Sequence, residues 1–333
     1  MIFGPSPVAE AEGALLAHSL VLEDGKLSKG RQVTADDVAR LKGAGIDTIT
    51  VARLEPGDLS EDEAASLIGE CLLADGLRLG PVFTGRVNLI AQTAGVVTID
   101  AKRIVGLNAI HEGLTLATLP DMMRVAADQL VATAKIIPYG LPGDVVAAGI
   151  AALGEDAIAL HPFRGGRVHL VMTRTPGFKD SLLTKGEVTI RNRIEALGFD
   201  LGVVTTVAHE ETEVARALEA EAADLHLILG ASATSDRADV APQAVVRAGG
   251  RIDRFGMPVD PGNLLFLGDL KGSPVVGLPG CALSPALNCV DWVLERLSAG
   301  LPVTGEAIAS MCVGGLLKEI QGRPQPRRPK CAV

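Results

Sequence analysis

From residue 167 to about 300 the chain alternates short apolar runs with segments of helical period, and this alternation limits the fold more than any other feature. RVHLVMT (167–173) reads as a buried strand. GEVTIRNRIEALG (186–198) reads as a helix with Ile190, Ile194 and Leu197 on one face and Gly198 after it. FDLGVVTTV (199–207) is a strand, and EETEVARALEAEA (210–222) is a helix, acidic at its start as the helix dipole prefers. DLHLILG (224–230) is a strand and DVAPQAVVRAGG (239–250) a helix. RIDRFGMPV (251–259), NLLFLG (263–268) and SPVVGLPG (273–280) are strands, the last two joined by a DLKG turn. SPALNCVDWVLERLSAG (284–300) closes the series as a helix, with Leu287, Val290, Leu294 and Leu297 facing inward. Such alternation makes a mostly parallel, doubly wound sheet, so the expected class is α/β.

The first half reads differently. Thr34 and Asp37 form a capping-box variant that opens a short helix, closed by Gly43 and Gly45, and DTITVARL (47–54) follows as a strand. Ser60 and Glu63 open a second helix. Residues 77–140 alternate short β-rich runs with turns. A smaller mixed α/β region is expected over 1–150, divisible near 75, ahead of the regular α/β domain at 160–318. The Pro- and Arg-rich tail, 319–333, is expected to be disordered.

Several classes of function are disfavoured. A net charge of −9 argues against a non-specific nucleic-acid or acidic-membrane surface, and 3 % aromatic residues give no stacking platform for single strands. No run approaches the ~18 apolar residues of a membrane span. The opening MIFGPSPVAEAEG has no basic region before an apolar run, so no secretory signal is expected. The five Cys include no CxxC pair, and the six His form no HExxH or short-spaced cluster. Reduced thiols in a cytoplasmic protein, without a zinc site, follow.

Ligands of open α/β sheets bind beyond the carboxyl ends of the strands. Four loops are expected there. TRTPGFKDSLLTKGE (173–187) is long for a strand-to-helix loop and carries Thr173, Arg174, Lys179, Asp180, Ser181 and Lys185. It suits an anion, though a solvated surface loop would look the same. GASATSDRADV (230–240) offers Gly230, Ala231, Ser232, Thr234 and Asp236 for close backbone approach, hydroxyl contacts and a carboxylate. Asp236 and Asp239 would cap the next helix, orient a ligand or bind a hard cation. Asp260, Pro261, Gly262 and Asn263 make turn chemistry by themselves. GLPGCALSP (277–285) places Gly277, Pro279, Gly280 and Cys281 in a turn, with Ser284 as N-cap and Pro285 at the first helical position. The helix start would then face the loop as a phosphate cradle. Outside these loops, Arg86 and Asn88 beside Gly85 suit a polar ligand, another subunit or a plain β-turn.

GASATSD, DPGN and GLPGCAL, in that order and spacing, resemble the signatures of the molybdopterin-binding domain shared by molybdopterin adenylyltransferases and molybdopterin molybdenumtransferases. The likeness covers roughly 165–300. A weaker one at 20–53 is similar to the segment preceding that domain in the molybdenumtransferases. The chain most resembles a branch of molybdopterin-binding proteins in which a similar region sometimes precedes a molybdenum cofactor nucleotidyltransferase domain. The resemblance implies a pterin–dithiolene and its phosphate held by the four loops, with Mg²⁺ at Asp236 if a nucleotide takes part. It also implies homo-oligomers, and molybdenum cofactor enzymes as partners. The chain departs from the pattern at Ala231, where the family has Gly, and at Asp236, which is shifted by one residue. Asp260 and Asn263 replace basic flanks, and Cys281-Ala282 replaces Asn-Pro. Fewer cations favour binding over catalysis. A transferase that adenylates the pterin or inserts molybdate is the first rival, and a non-catalytic sensor that docks a partner enzyme is the second. An NAD-dependent dehydrogenase is disfavoured by the lack of GxGxxG.

Overall fold

The computed structural model describes residues 1–317. The expected disorder of the tail, 319–333, lies outside them. The chain divides into two compact units, Met1–Leu160 and a second beginning at His161.

The first unit holds two apolar clusters. One gathers Val8, Leu16, Leu41, Ile49 and Val51. Around it lie an antiparallel sheet of Ile2–Pro7, Thr48–Arg53 and Leu15–Leu16 and the helix Ala35–Gly43. The other runs from Ala64 to Leu160 and includes a four-stranded antiparallel sheet. Both expected capping boxes form: Thr34 with Asp37, and Ser60 with Glu63 at the start of helix Glu61–Cys71.

In the second unit the elements are β1 (Gly166–Arg174), α1 (Asp180–Glu195), β2 (Phe199–Ala208), α2 (Glu211–Ala220), β3 (Leu225–Leu229), α3 (Val240–Arg247), β4 (Arg251–Phe255), β5 (Phe266–Leu270), β6 (Ser273–Leu278), α4 (Cys289–Ser298) and α5 (Gly305–Ser310). The sheet order is β2-β1-β3-β6-β5-β4. The first four strands are parallel, and β5 runs antiparallel to both β6 and β4. The expected doubly wound α/β sheet is present, with an antiparallel pair added at one side. Its period-2 alternation buries both faces. Leu170 and Met172 pack with Ile190 and Ile194 of α1 and Val290 and Leu294 of α4. Val171 and Ile228 pack with Val214 and Leu218 of α2 and Ala244 and Val245 of α3.

Two local expectations are corrected. The stretch 173–187 is not one long loop: α1 starts at Asp180, so only residues 175–179 connect it to β1. Helix α4 starts at Cys289, not at Ser284. Asn288 is its N-cap, and the Asn288 amide donates to Asp291 Oδ2 at 2.8 Å. The Asn-x-x-Asp capping box outcompetes Ser284-Pro285, which ends a 3₁₀ turn over Gly280–Leu283. Leu287 therefore precedes the helix and is exposed, while Val290 and Leu294 are buried as expected.

The register pairs His169 of β1 with His226 of β3, both buried. Their Nδ1 atoms are 3.3 Å apart, and His169 Nε2 is 3.0 Å from Thr205 Oγ1. Burial, with His226 and Arg167 nearby, pushes the His169 ring down to about 4, and burial also lowers His226. The unfolded chain therefore takes up protons first as pH falls. Stability is retained above the ordinary histidine value near 6.5 and lost between there and about 4. A urea midpoint series should show a loss of about 2–3 kcal/mol between pH 7 and pH 4.5. A flat series would contradict the neutral pair.

Candidate functional site

One row of paired residues crosses the whole sheet: Phe255, Phe266, Gly277, Ile228, Val171 and Thr205. Beyond it, β1, β3, β4 and β6 all end at the same edge. The segments 175–179, 230–239, 256–265 and 279–288 therefore leave the sheet on one side. The chain passes from β1 out to β2 and back across to β3, so the switch in strand order lies between β1 and β3.

A hydrogen-bond relay spans that switch. The Ala231 amide, just beyond β3, donates to Thr173 Oγ1 at 2.7 Å. Thr173 Oγ1 lies 2.8 Å from His209 Nδ1, and the His209 amide donates to the Arg174 carbonyl at 2.9 Å. Thr173 is buried, and His209 Nδ1 is the acceptor available to its hydroxyl proton among the described residues. That proton assignment makes Nδ1 an acceptor, so a neutral ring carries its proton on Nε2. An open pocket of about 430 Å³ adjoins the relay, lined by Arg174, Gly177, Phe178, His209 and Glu210 among others. The Arg174 and Glu210 side chains make no ion pair among the described residues. The pocket thus offers one cation, one anion and one imidazole to a polar ligand.

The other expected site residues fall into three groups. Ser232, Thr234 and Asp236 stand at the edge, and the two hydroxyls have no hydrogen-bond partner among the described residues. Asp236 Oδ1 accepts from the Ala238 amide at 2.7 Å. Asp239 caps α3 as expected, and Gly230 is needed because a Cβ there would lie 2.8 Å from the Ser232 carbonyl oxygen. Among the described residues no group of three or more His, Cys, Asp or Glu is placed to hold a metal ion, so Asp236 gains no partner ligands.

The second group belongs to the core. Gly277 lies mid-strand under the Phe266 ring, and Pro279, Pro261 and Gly262 are buried. A Cβ on Gly262 would meet Cys289 Sγ at 1.9 Å. These residues shape the loops and do not face solvent. Asp260, at the edge of this group, is half-buried.

The third group moves with the corrected helix boundaries. Lys179 is the N-cap of α1 without a side-chain cap, and Asp180, Ser181 and Lys185 lie on its first turns. Ser284 does not present a helix start: its carbonyl accepts from Arg193 Nη2 at 2.6 Å. The start of α4 is met internally by Asn288, Asp291 and the Arg193–Asp291 ion pair. The phosphate cradle expected there is not formed, because Asp291 already occupies the positive end of the helix. Gly280 remains exposed, with open space where its Cβ would be.

Sequence reading missed His209 and Glu210. Both follow β2 in VAHEE, and the strand-end rule that selected the other loops applies equally to this one.

Residues 5–53 match a family described only as a domain of unknown function (DUF8806). None of the curated proteins matches the chain. Among solved structures, the chain is similar to a molybdopterin biosynthesis MoeA protein from Pyrococcus horikoshii at 13 % identity and a TM-score of 0.32, covering 90 % of this chain and 75 % of that one. It is similar to the molybdopterin biosynthesis enzyme MoaB from Thermus thermophilus at 20 % identity and a TM-score of 0.28, over 46 % of this chain and 99 % of the other. It is also similar to a molybdenum cofactor biosynthesis protein from Pyrococcus furiosus at 13 % identity and a TM-score of 0.25, over 91 % and 66 %. At TM-scores of this size these likenesses carry no inference by themselves.

Proposed function

We propose that the unit beginning at His161 binds a pterin of the molybdopterin type and acts in making or handling the molybdenum cofactor. One observation carries the reading. The three stretches that resemble the family's signatures, 230–236, 260–263 and 277–283, are far apart in sequence, yet all emerge at one sheet edge. Arg174 supplies a cation for a phosphate, and the His209 Nε2–H, set by Thr173, supplies a donor for a carbonyl or phosphate oxygen. Ser232 and Thr234 offer hydroxyls on the other side of the relay. Asp260 and Asn263 stand where the family pattern carries basic residues, which favours binding over bond cleavage.

The test is to purify the chain from a host that makes molybdopterin and from one that cannot, then denature, oxidise and measure pterin fluorescence. A host-dependent signal is expected. Gly280→Tyr should lower it about tenfold or more while leaving the thermal midpoint in place, since the side chain would project into open space at the loop edge. Arg174→Ala should lower it as well. No pterin from either host, and no binding of supplied pterin, would reject the reading.

A further inference from the structure

The helices Glu61–Cys71 and Gly143–Leu153 of the first unit pack against each other, with Gly149 facing Ile68. Their C-terminal ends leave an open groove of about 600 Å³. Leu67 and Leu73 line it on one side and Ile150 on the other, with the half-buried Cys71 between them. Leu67 is 38 % and Leu73 52 % exposed, so large apolar side chains face water here. The apolar surface continues along Gly143–Leu153, where Ala147, Ala148 and Ala151 are exposed and no polar side chain occurs from Val145 to Leu153. A helix at a protein surface ordinarily carries polar or charged residues on its outer face. This one has three turns, about 16 Å, without any.

The charge around the groove has one sign. Neither 61–75 nor 143–156 contains a Lys, Arg or His, while both contain several carboxylates. Glu155 and Asp156 line the groove, and their side chains make no ion pair among the described residues. The nearest cation, Arg103, is already engaged: its Nε is 3.3 Å from Asp100 Oδ2, and its Nη1 donates to the Leu153 carbonyl at 3.1 Å. Lys135 is paired with Glu61 at the other end of that helix.

We propose that this groove docks an amphipathic helix of another protein, apolar on the face that enters it and rich in Lys or Arg along its flanks. The inference does not rest on the pterin reading. Apolar anchors spaced i, i+3 or i+4 and i+7 would cover Leu73, Leu67 and Ile150 and run on over Ala147 and Ala151, whose small side chains let a backbone come close. Basic residues on the flanks would meet Glu155 and Asp156. A second copy of this chain is the wrong occupant. Gly143–Leu153 has Asp144 at one end and Glu155 and Asp156 just beyond the other, so either orientation of two such helices sets carboxylate against carboxylate.

The probe is a fluorescein-labelled model helix of about 18 residues, with Leu at i, i+3, i+4 and i+7 and Lys elsewhere. It is titrated with the intact chain by anisotropy at physiological salt, beside a control peptide with Glu in place of every Lys. Saturable binding of the Lys peptide is expected, with the Glu peptide at least about tenfold weaker. Ala151→Arg and Glu155→Lys should each weaken the Lys peptide about tenfold, whereas Glu219→Lys, the same charge change as Glu155→Lys at an exposed site on α2, should leave it within about twofold. Thermal midpoints check that the variants are folded. The wild-type chain supplies a second readout: bound Lys peptide should slow N-ethylmaleimide modification of Cys71, which lines the groove, and leave the exposed Cys312 unchanged. No saturable binding, equal binding of the Glu peptide, an equal loss for Glu219→Lys, or an unprotected Cys71 would overturn the proposal. A dimer of the free chain that Ala151→Arg dissolves would overturn it too, by giving the groove to a second copy.

Discussion

Replacing Arg193 by Ala is expected to cost about 3–5 kcal/mol of unfolding free energy. The Arg193 side chain on α1 is only 7 % exposed and Asp291 on α4 14 % exposed, so their ion pair is nearly dry. Arg193 does two things at once. It neutralises Asp291, which caps the α4 start through the Asn288 amide, and it holds the Ser284 carbonyl. Truncation leaves a buried carboxylate without its cation and a carbonyl without its donor. Surface pairs in this protein, such as Arg216 with Glu213, should be worth less than about 1 kcal/mol by the same measurement. The check is a denaturant series on wild type, Arg193→Ala and the double variant Arg193→Met with Asp291→Leu. The double variant should recover most of the loss, because apolar groups of similar size leave no unpaired charge. A loss below about 1 kcal/mol for Arg193→Ala would mean that the pair does not lock the loop.

Gly277→Ala should destabilise the protein by about 3 kcal/mol although it adds only a methyl group. Gly277 pairs with Phe266 across β6 and β5, and the Phe266 ring, fully buried, lies on its Cα. A Cβ at 277 would stand 1.9–2.4 Å from three ring carbons. The ring has no free space to move into, because it is packed among Val171, Ile228, Val245 and Val275. The second arm is the double variant with Phe266→Leu. If the ring is the obstacle, the double variant should be more stable than the sum of the two single losses by about 2 kcal/mol. Simple additivity would place the strain elsewhere. The same experiment separates packing from ligand contact at this position, since a glycine kept for a ligand would tolerate Ala in the empty protein.

Much of the second unit was legible from residue order. The alternation of periods is a local property, and each strand and helix from 167 to 300 lies close to where the sequence places it. The boundaries that moved are those where two local signals competed. At Ser284 and Asn288 both residues suit an N-cap, and Asp291 decides for Asn288 by closing a capping box. At Asp180 the chain carries helix-compatible residues whose polarity reads as loop.

The candidate site divides the same way. That strand ends would carry it could be read from the alternation, as could Thr173, Arg174, Ser232, Thr234 and Asp236. Gly277, Pro261 and Gly262 could not be told from ligand-facing residues, because a glycine kept for a bound group and one kept for a neighbouring ring look identical in one dimension. His209 meets Thr173 across two adjacent strands, 36 residues apart. His169 meets His226 57 residues apart. Local periodicity and turn chemistry are written in consecutive residues, so the sequence by itself determined the class of fold and the edge where a ligand would sit. Strand register and loop packing act between distant residues. Only the tertiary structure decided which side chains meet there, which glycines are buried, and which helix start is already occupied.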